Sequence, residues 1–347
     1  MENLVLVGAG YWDGAPDGVA TRGLYNLSPD TGEWVSVTDG LPDKVEVRGI
    51  ARRGSILYVG TQLGPCRSAD GGQSWTLLEL PGRERVVWSI MPVGAATLYV
   101  GTEGTSIYKS DDDGETWRLL SVPAPTGLVA MGFPTRVVRL AHDPANEQEI
   151  YAALEVGGVV RSLDGGETWT DCSAHLIELS RQDHLRSRIG SNTDTEGMLD
   201  SHALVVSAAQ PGTVMLANRM GLFRSADKGD HWAPMDIGRF SELTYARDLK
   251  VSPHDPNTLF GAFSVSANSK RGSLYRSPDL GESWTRFDHD VLIESTLMII
   301  APSNETPDRV YCAARRGQVF GTEDGGASWR EFPLPDGVQG VYALACA

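Results

Sequence analysis

The chain has 347 residues, 41% of them hydrophobic, which is enough to bury a sizeable core, and its formal net charge is -15. Such acidity excludes a general nucleic-acid or anionic-membrane surface. No apolar run approaches the roughly 20 residues that cross a bilayer, so a soluble protein is expected. The start, MENLVLVGAGYW, reads directly as a strand, without basic n-region, apolar h-region or cleavage site. A cytoplasmic protein is expected from that start. Gly8-x-Gly10 with Gly14 resembles a dinucleotide loop, but no helix or βαβ pattern follows.

The pattern Ser/Thr-x-Asp-x-Gly-x-x-Trp then organises everything downstream. A shortened copy, SPDTGEW, starts at Ser28. Full copies follow at Ser68, Ser110, Ser162, Ser225, Ser277 and Thr322, ending at Trp75, Trp117, Trp169, Trp232, Trp284 and Trp329. Their spacing suits four-stranded propeller blades with inserted loops. Each interval parses as a strand A such as VVWSIM from Val86, a strand B such as ILYVGT from Ile56 or TLYVGT from Thr97, and a strand C such as GVVRS or GLFRS. A strand D, such as WTLLEL or WRLLSV, begins at the Trp. The chain starts with a B-like strand and ends with an A-like strand, VYALACA. Pairing the two leaves no open sheet edge, so a single closed, all-β, seven-bladed propeller over 1–347 is predicted.

Within each box, Asp and Ser are suited to bond turn amides, Gly to take a positive φ, and Trp to pack between neighbouring hairpins. A cation precedes the box Ser in five copies (Arg67, Lys109, Arg161, Arg224, Arg276), which marks a repeated structural contact. Of the 45 acidic residues, 15 lie in the seven boxes, so net charge says little about a binding site.

These boxes resemble the Asp-box, or BNR, repeat family, which includes sialidases, two-domain xyloglucanases, sortilin-type receptors and photosystem II assembly factors. The resemblance covers the full length and implies a propeller rather than an activity. Sialidases carry an Arg-Ile-Pro segment near the start and usually six blades; here the nearest fragment is Arg188-Ile189-Gly190, so sialidase activity is disfavoured. Xyloglucanases place their site between two propellers, whereas this chain has length for one. Photosystem assembly factors share the blade count but are normally exported, unlike this start.

If the boxes occupy one face, the D-to-A and B-to-C loops occupy the other, where ligand sites are expected. Aligned strand A entrances are Glu46, Val86, Arg136, His202, Arg247, Thr296 and Gly340; aligned strand B exits are Gly10, Gln62, Glu103, Glu155, Arg219, Ser264 and Arg315. Glu103 and Glu155 are expected as an acid/base pair near Arg136. Arg136, Arg219 and Arg247 are suited to clamp a carboxylate or phosphate, and Trp88 is a further ligand-binding candidate. The least repeat-like segment, 171–202, is read as a long inserted loop on the same face. It brings His184 and His202 as catalytic candidates and Arg186 as a ligand-binding one. Two further inserted loops, from Gly10 to Arg22 with Trp12 and from Ala262 to Gly272, are expected to wall the pocket.

No cofactor is expected. A divalent metal on His175, His184 and His202 would suit imidazole chemistry, but their spacing matches no metal motif. Cys66, Cys172, Cys312 and Cys346 lack CxxC spacing and read as reduced, buried thiols. G-x-S-x-G, P-loop and HExxH motifs are missing. The expected ligand is a small anionic or sugar-like molecule, bound alone or processed by a hydrolase or lyase. The alternative is a non-catalytic scaffold that holds a protein partner on the same face.

Overall fold

The seven four-stranded antiparallel sheets of the described chain radiate from one axis. The computed structural model describes residues 4–11, 22–82 and 86–347, so Trp12 and Gly14 lie outside it. Blades are numbered one to seven in chain order. Their innermost strands are Val341–Cys346, Val47–Arg53, Val87–Val93, Val137–Asp143, Ser201–Val206, Tyr245–Val251 and Leu297–Pro302. Blade one is closed as predicted, with the C-terminal strand paired antiparallel to Val5–Ala9 in the register Val5–Cys346, Val7–Leu344 and Gly8–Ala343. No helix of the described chain is long and apolar enough to cross a membrane.

Apolar residues on both faces of each sheet pack against the neighbouring blades, so the core is a series of layers between blades. Leu6, Leu57, Val59 and Trp75 form one such layer, and Phe260, Leu274, Ile300 and Phe320 another. The blades are closest near the axis. A β-carbon on Gly60 would stand 2.5 Å from Val87, and one on Gly101 would stand 2.4 Å from Val137, so both sites require glycine. Strand D is far shorter than the sequence suggests. Only Thr76–Leu77 and Arg118–Leu119 pair where six residues were expected, and both pairs are exposed. A short outer strand offers little edge for intermolecular pairing.

The repeated turn is satisfied from within. Ser110 Oγ donates to Asp112 Oδ1 (2.8 Å) and accepts from the Gly114 amide (2.8 Å). Asp112 then accepts the Thr116 amide on Oδ1 (2.8 Å) and the Thr116 hydroxyl on Oδ2 (2.6 Å). The box glycine turns left-handed; at Gly326, φ is +93° and a β-carbon would stand 2.4 Å from Phe287. Four box tryptophans, Trp34, Trp75, Trp232 and Trp329, donate their indole N–H to carbonyls of the preceding blade.

The cation before the box reaches forward to the next blade. Arg67 meets Asp113 and Glu115, Arg161 meets the Lys228 carbonyl and Asp230, and Arg224 meets the Leu280 carbonyl and Glu282. Lys109 stays nearer home, beside Asp111 and the Tyr99 ring, and Arg276 lies over Phe287.

Segment 171–202 folds into two short helices, Ala174–Leu179 and Glu196–Leu199, rather than an open loop. Leu176, Leu185, Met198 and Leu199 bury themselves in the layer between blades four and five. Glu196 accepts the amides of Ile189, Gly190 and Ser191, which fixes the inner tip of the segment. Burial opposes ionisation of Glu196, yet these amide bonds outweigh it and hold the carboxyl below its usual range.

Hydrogen bonds from the following Ser or Thr hold the box carboxyls low, at about 2 for Asp112, Asp164 and Asp324. Their folded-state values lie below the unfolded ones. Their stabilisation is therefore complete above ~pH 4 and lost as pH falls toward 2. Asp164→Ala is expected to lower the thermal midpoint at neutral pH, with the gap from wild type shrinking across that acid range. A gap that stays constant with pH would contradict this role.

Candidate functional site

Every inner strand carries an irregularity in its register with strand B near its start, and that of blade four carries a second between His142 and Asp143. The shifts fall between Val47 and Gly49, Val87 and Ser89, Val137 and Arg139, Ser201 and Ala203, Ala246 and Asp248, and Leu297 and Ile299. In blade one the same shift skips Tyr342. A bulged residue is freed from the alternation of the strand and re-aimed. The seven skipped residues are Arg48, Trp88, Val138, His202, Arg247, Met298 and Tyr342, and all seven line the constriction of the central channel. The strand B residue paired with the inner-strand residue just after each bulge is Gly or Ala: Gly8, Gly60, Gly101, Ala153, Ala217, Ala262 and Ala313.

Above this ring, away from the boxes, opens a cavity of about 470 Å³. Arg48, Arg136, Arg219, Arg247 and Arg315 line it with Glu155, Asp200, His202, Trp88, Tyr245 and Tyr342. Phe133 and Met131 form an apolar side, and Ile189 and Glu196 contribute from the 171–202 segment. Below the ring, Asp248 lies 3.2 Å from Arg139 and 3.4 Å from Lys250. Burial and the like charge of Arg139 push the Lys250 amine down to about 8.

Most of the arginines are already engaged. Arg48 pairs with Glu46, which also holds Arg22 at 2.7 Å. Arg136 pairs with Glu155 at 2.8 Å and lies 3.8 Å from Glu103. Arg219 pairs with Asp200 at 2.8 Å. Arg247 differs, since no hydrogen bond or ion pair joins its guanidinium to another described residue, although it faces the cavity. Burial works against its charge, but the Tyr245 hydroxyl and the Glu155 and Asp200 carboxylates more than restore it.

Asp200 is buried and accepts from Arg219, with His202 Nε2 at 3.4 Å. Burial raises the pKa of its carboxyl, but the attraction of His202, Arg219 and Arg247 holds it below the usual range. His202 donates from Nδ1 to the Ala246 carbonyl (2.7 Å), and its Nε2 lies 3.3 Å from the Tyr245 hydroxyl. Both ring nitrogens are thus occupied, and the imidazole ties the bulge of blade five to that of blade six.

Of the residues singled out in the sequence, Glu155, His202, Arg136, Arg219, Arg247 and Trp88 come together around the cavity. Trp88 is not an open platform, since the Arg48 and Arg136 guanidinium carbons each lie 4.3 Å from its ring centroid. Glu103 stands at the margin, 3.3 Å from the Trp88 indole nitrogen. Glu103 and Glu155 address the same guanidinium, so neither is free to act as an acid or base until Arg136 releases it. His184 is exposed and lines a separate groove outside Arg219, beside Met220 and Ile237. Arg186 braces its own segment through Asp183 and Asp194.

The three histidines considered for a metal do not converge. His175 accepts the Trp232 amide (2.9 Å) and packs on His231 at the outer edge, far from the ring of bulges. Among the described residues, no group of three His, Cys, Asp or Glu side chains is arranged to hold a metal ion.

Arg48, Asp200, Tyr245 and Tyr342 were missed. The aligned strand entrances Glu46, Val86, Arg136, Thr296 and Gly340 each stand two residues before the residue that enters the channel; only His202 and Arg247 are in register. Strand period is two, so such an error preserves the face and hides itself. The usable signal was the small residue recurring in strand B, as in LVGAG, YVGT and CAAR.

No family model matches the chain. The chain is similar to a xyloglucanase of Hypocrea jecorina (strain QM6a), 23% identical over 340 residues that cover 88% of this chain and 35% of that protein. It is also similar to the xyloglucanase Xgh74A of Acetivibrio thermocellus, 26% identical over 218 residues, 54% of this chain and 25% of that protein. The chain therefore spans about a third or less of the length of these curated relatives. Among solved structures, the GH74 xyloglucanase from Xanthomonas campestris superposes with a TM-score of 0.63 at 17% identity, covering 82% of this chain and 45% of that one. YCF48 bound to D1 peptide gives 0.61 at 17% identity, covering 93% of this chain and 90% of that one. These structural likenesses establish the seven-bladed fold.

Asp200→Asn removes the countercharge of Arg219 beneath the cavity. Breaking a buried pair from one side costs about 3 kcal/mol, which urea unfolding should register at neutral pH. Because the folded-state pKa is depressed, the deficit should diminish as pH falls below ~4. An unchanged urea midpoint would contradict the pairing.

Proposed function

We propose that this chain is a ligand-binding propeller of the Asp-box type whose central cavity takes a small anionic, sugar-like molecule, with Arg247 as its anchor. The observation that carries the reading is the Arg247 guanidinium, charged, turned into the cavity and unengaged, among arginines that already hold carboxylates. A guanidinium of this kind grips a carboxylate or phosphate by paired, charge-assisted hydrogen bonds. The apolar side at Phe133 and Met131 suits the carbon skeleton of such a ligand.

Similarity to xyloglucanases extends the reading toward hydrolysis of a sugar-like substrate. Glu155 is the carboxylate that would serve, once a bound anion competes with it for Arg136. A second reading, a platform for a protein segment, is supported by the near full-length likeness to a propeller solved with a bound peptide. Four free, buried cysteines suit a cytoplasmic location, and burial pushes the thiols of Cys66, Cys172 and Cys346 up to about 12, which leaves them unreactive.

Calorimetric titration with glucuronate and with inorganic phosphate tests the reading. Arg247→Met should weaken binding about tenfold to a hundredfold, the range for a hydrogen-bonded charge, while the thermal midpoint holds. Binding should also fall as salt is raised. Equal affinity in wild type and variant would overturn the assignment.

A further inference from the structure

Between blades seven and one the repeat is incomplete on both sides. At the position before the box, where five blades carry a cation, blade seven has Gly321. A side chain there is excluded, since a β-carbon would stand 2.4 Å from the Tyr311 ring. No forward contact can therefore be made to the box of blade one. That box is itself one residue short, and its Asp30 accepts no hydrogen bond from any described residue, whereas Asp112, Asp164 and Asp324 each accept several. A cleft of about 570 Å³ opens between the two blades on the box face.

Its polar groups are left unspent by the fold. Arg309 is mostly buried, its Nε has no hydrogen-bond partner, and its nearest carboxylate oxygen, on the exposed Glu323, is 3.5 Å away. Arg330 lies over the Phe332 ring, 4.7 Å from its centroid, and reaches toward Gly32 of blade one without an ion pair among the described residues. Tyr311, Trp329 and Phe332 supply ring surface. Arg309 with Glu323 is neutral as a pair and Arg330 balances Asp30, while the third carboxylate of the lining, Asp324, is held by the turn bonds of its own box. A simple anion would leave Asp30 opposed by like charge, and a simple cation would do the same to Arg330.

We infer that this interblade cleft is a second binding site, separate from the central cavity, for a neutral polyhydroxylated sugar unit of an oligosaccharide. Vicinal hydroxyls donate to Asp30 and accept from Arg330 and Arg309, while the carbon face of the ring lies on the aromatic wall. The volume lies within the range of small-molecule sites.

The test is titration of the full chain with cellotetraose and maltotetraose, followed by calorimetry and by saturation-transfer NMR. At least one should bind wild type, and Asp30→Ala and Arg330→Met should each weaken it about tenfold with the thermal midpoint unchanged, whereas Arg247→Met should leave it intact. Absence of binding by both sugars would overturn the inference. So would sugar binding that survives both cleft variants, or that is lost in Arg247→Met, which would move the sugar to the central cavity. Displacement of the sugar by glycine at equal concentration would assign the cleft to a zwitterion instead. Failure of the wild type to bind glucuronate and phosphate, with sugar binding retained, would defeat only the reading of the central cavity.

Discussion

Seven inner strands can meet around one axis only if the strands behind them are slim at the point of closest approach. Gly or Ala at that point in every strand B meets the requirement, and the bulge just before its paired residue is the consequence that matters for function. Each bulge takes one residue out of the sheet and turns it to the axis. The ring of such residues is where a repetitive architecture becomes individual. Arg48, His202 and Arg247 are polar, Val138 and Met298 are apolar, and Trp88 and Tyr342 are aromatic. The cavity above takes part of its charge from this ring, and the Arg139–Asp248–Lys250 cluster lies below it.

The boxes play the opposite part. In the full copies their Ser, Asp, Gly and Trp are consumed by bonds within the turn or to the preceding blade, and three of the cations before them, Arg67, Arg161 and Arg224, by the following one. What is chemically free in this protein is therefore found where the repeat is broken. Arg247 is free because a bulge lifts it out of the ladder; Asp30 and Arg330 are free because a shortened turn and Gly321 interrupt the junction between blades seven and one. The two places differ in chemistry. One gathers arginines in an acidic chain, and the other sets two arginines among three carboxylates.

Blade count, closure and the structural character of the boxes were legible because each rests on local turn chemistry that recurs seven times. Arg136, His202, Arg219 and Arg247 were legible as polar residues at strand ends. Arg48 and Tyr342 were not, because a bulge leaves no local mark and the two-residue offset keeps the side chain on the expected face. The 171–202 segment misled in a different way. Its His184 and Arg186 look functional in the sequence, yet the segment is held by Leu176, Leu185, Met198 and Glu196, and it presents Ile189 rather than His175 or His184 to the cavity. Which polar residue of a non-repeating segment faces inward depends on tertiary packing.

A crystal structure of the protein grown with a small dicarboxylate such as malonate tests the central claim most directly. The account predicts carboxylate density on the Arg247 guanidinium within the ring of bulged residues, with Arg136 and Arg219 still on Glu155 and Asp200. Arg247 turned onto one of those carboxylates, with the cavity holding no ligand, would contradict it.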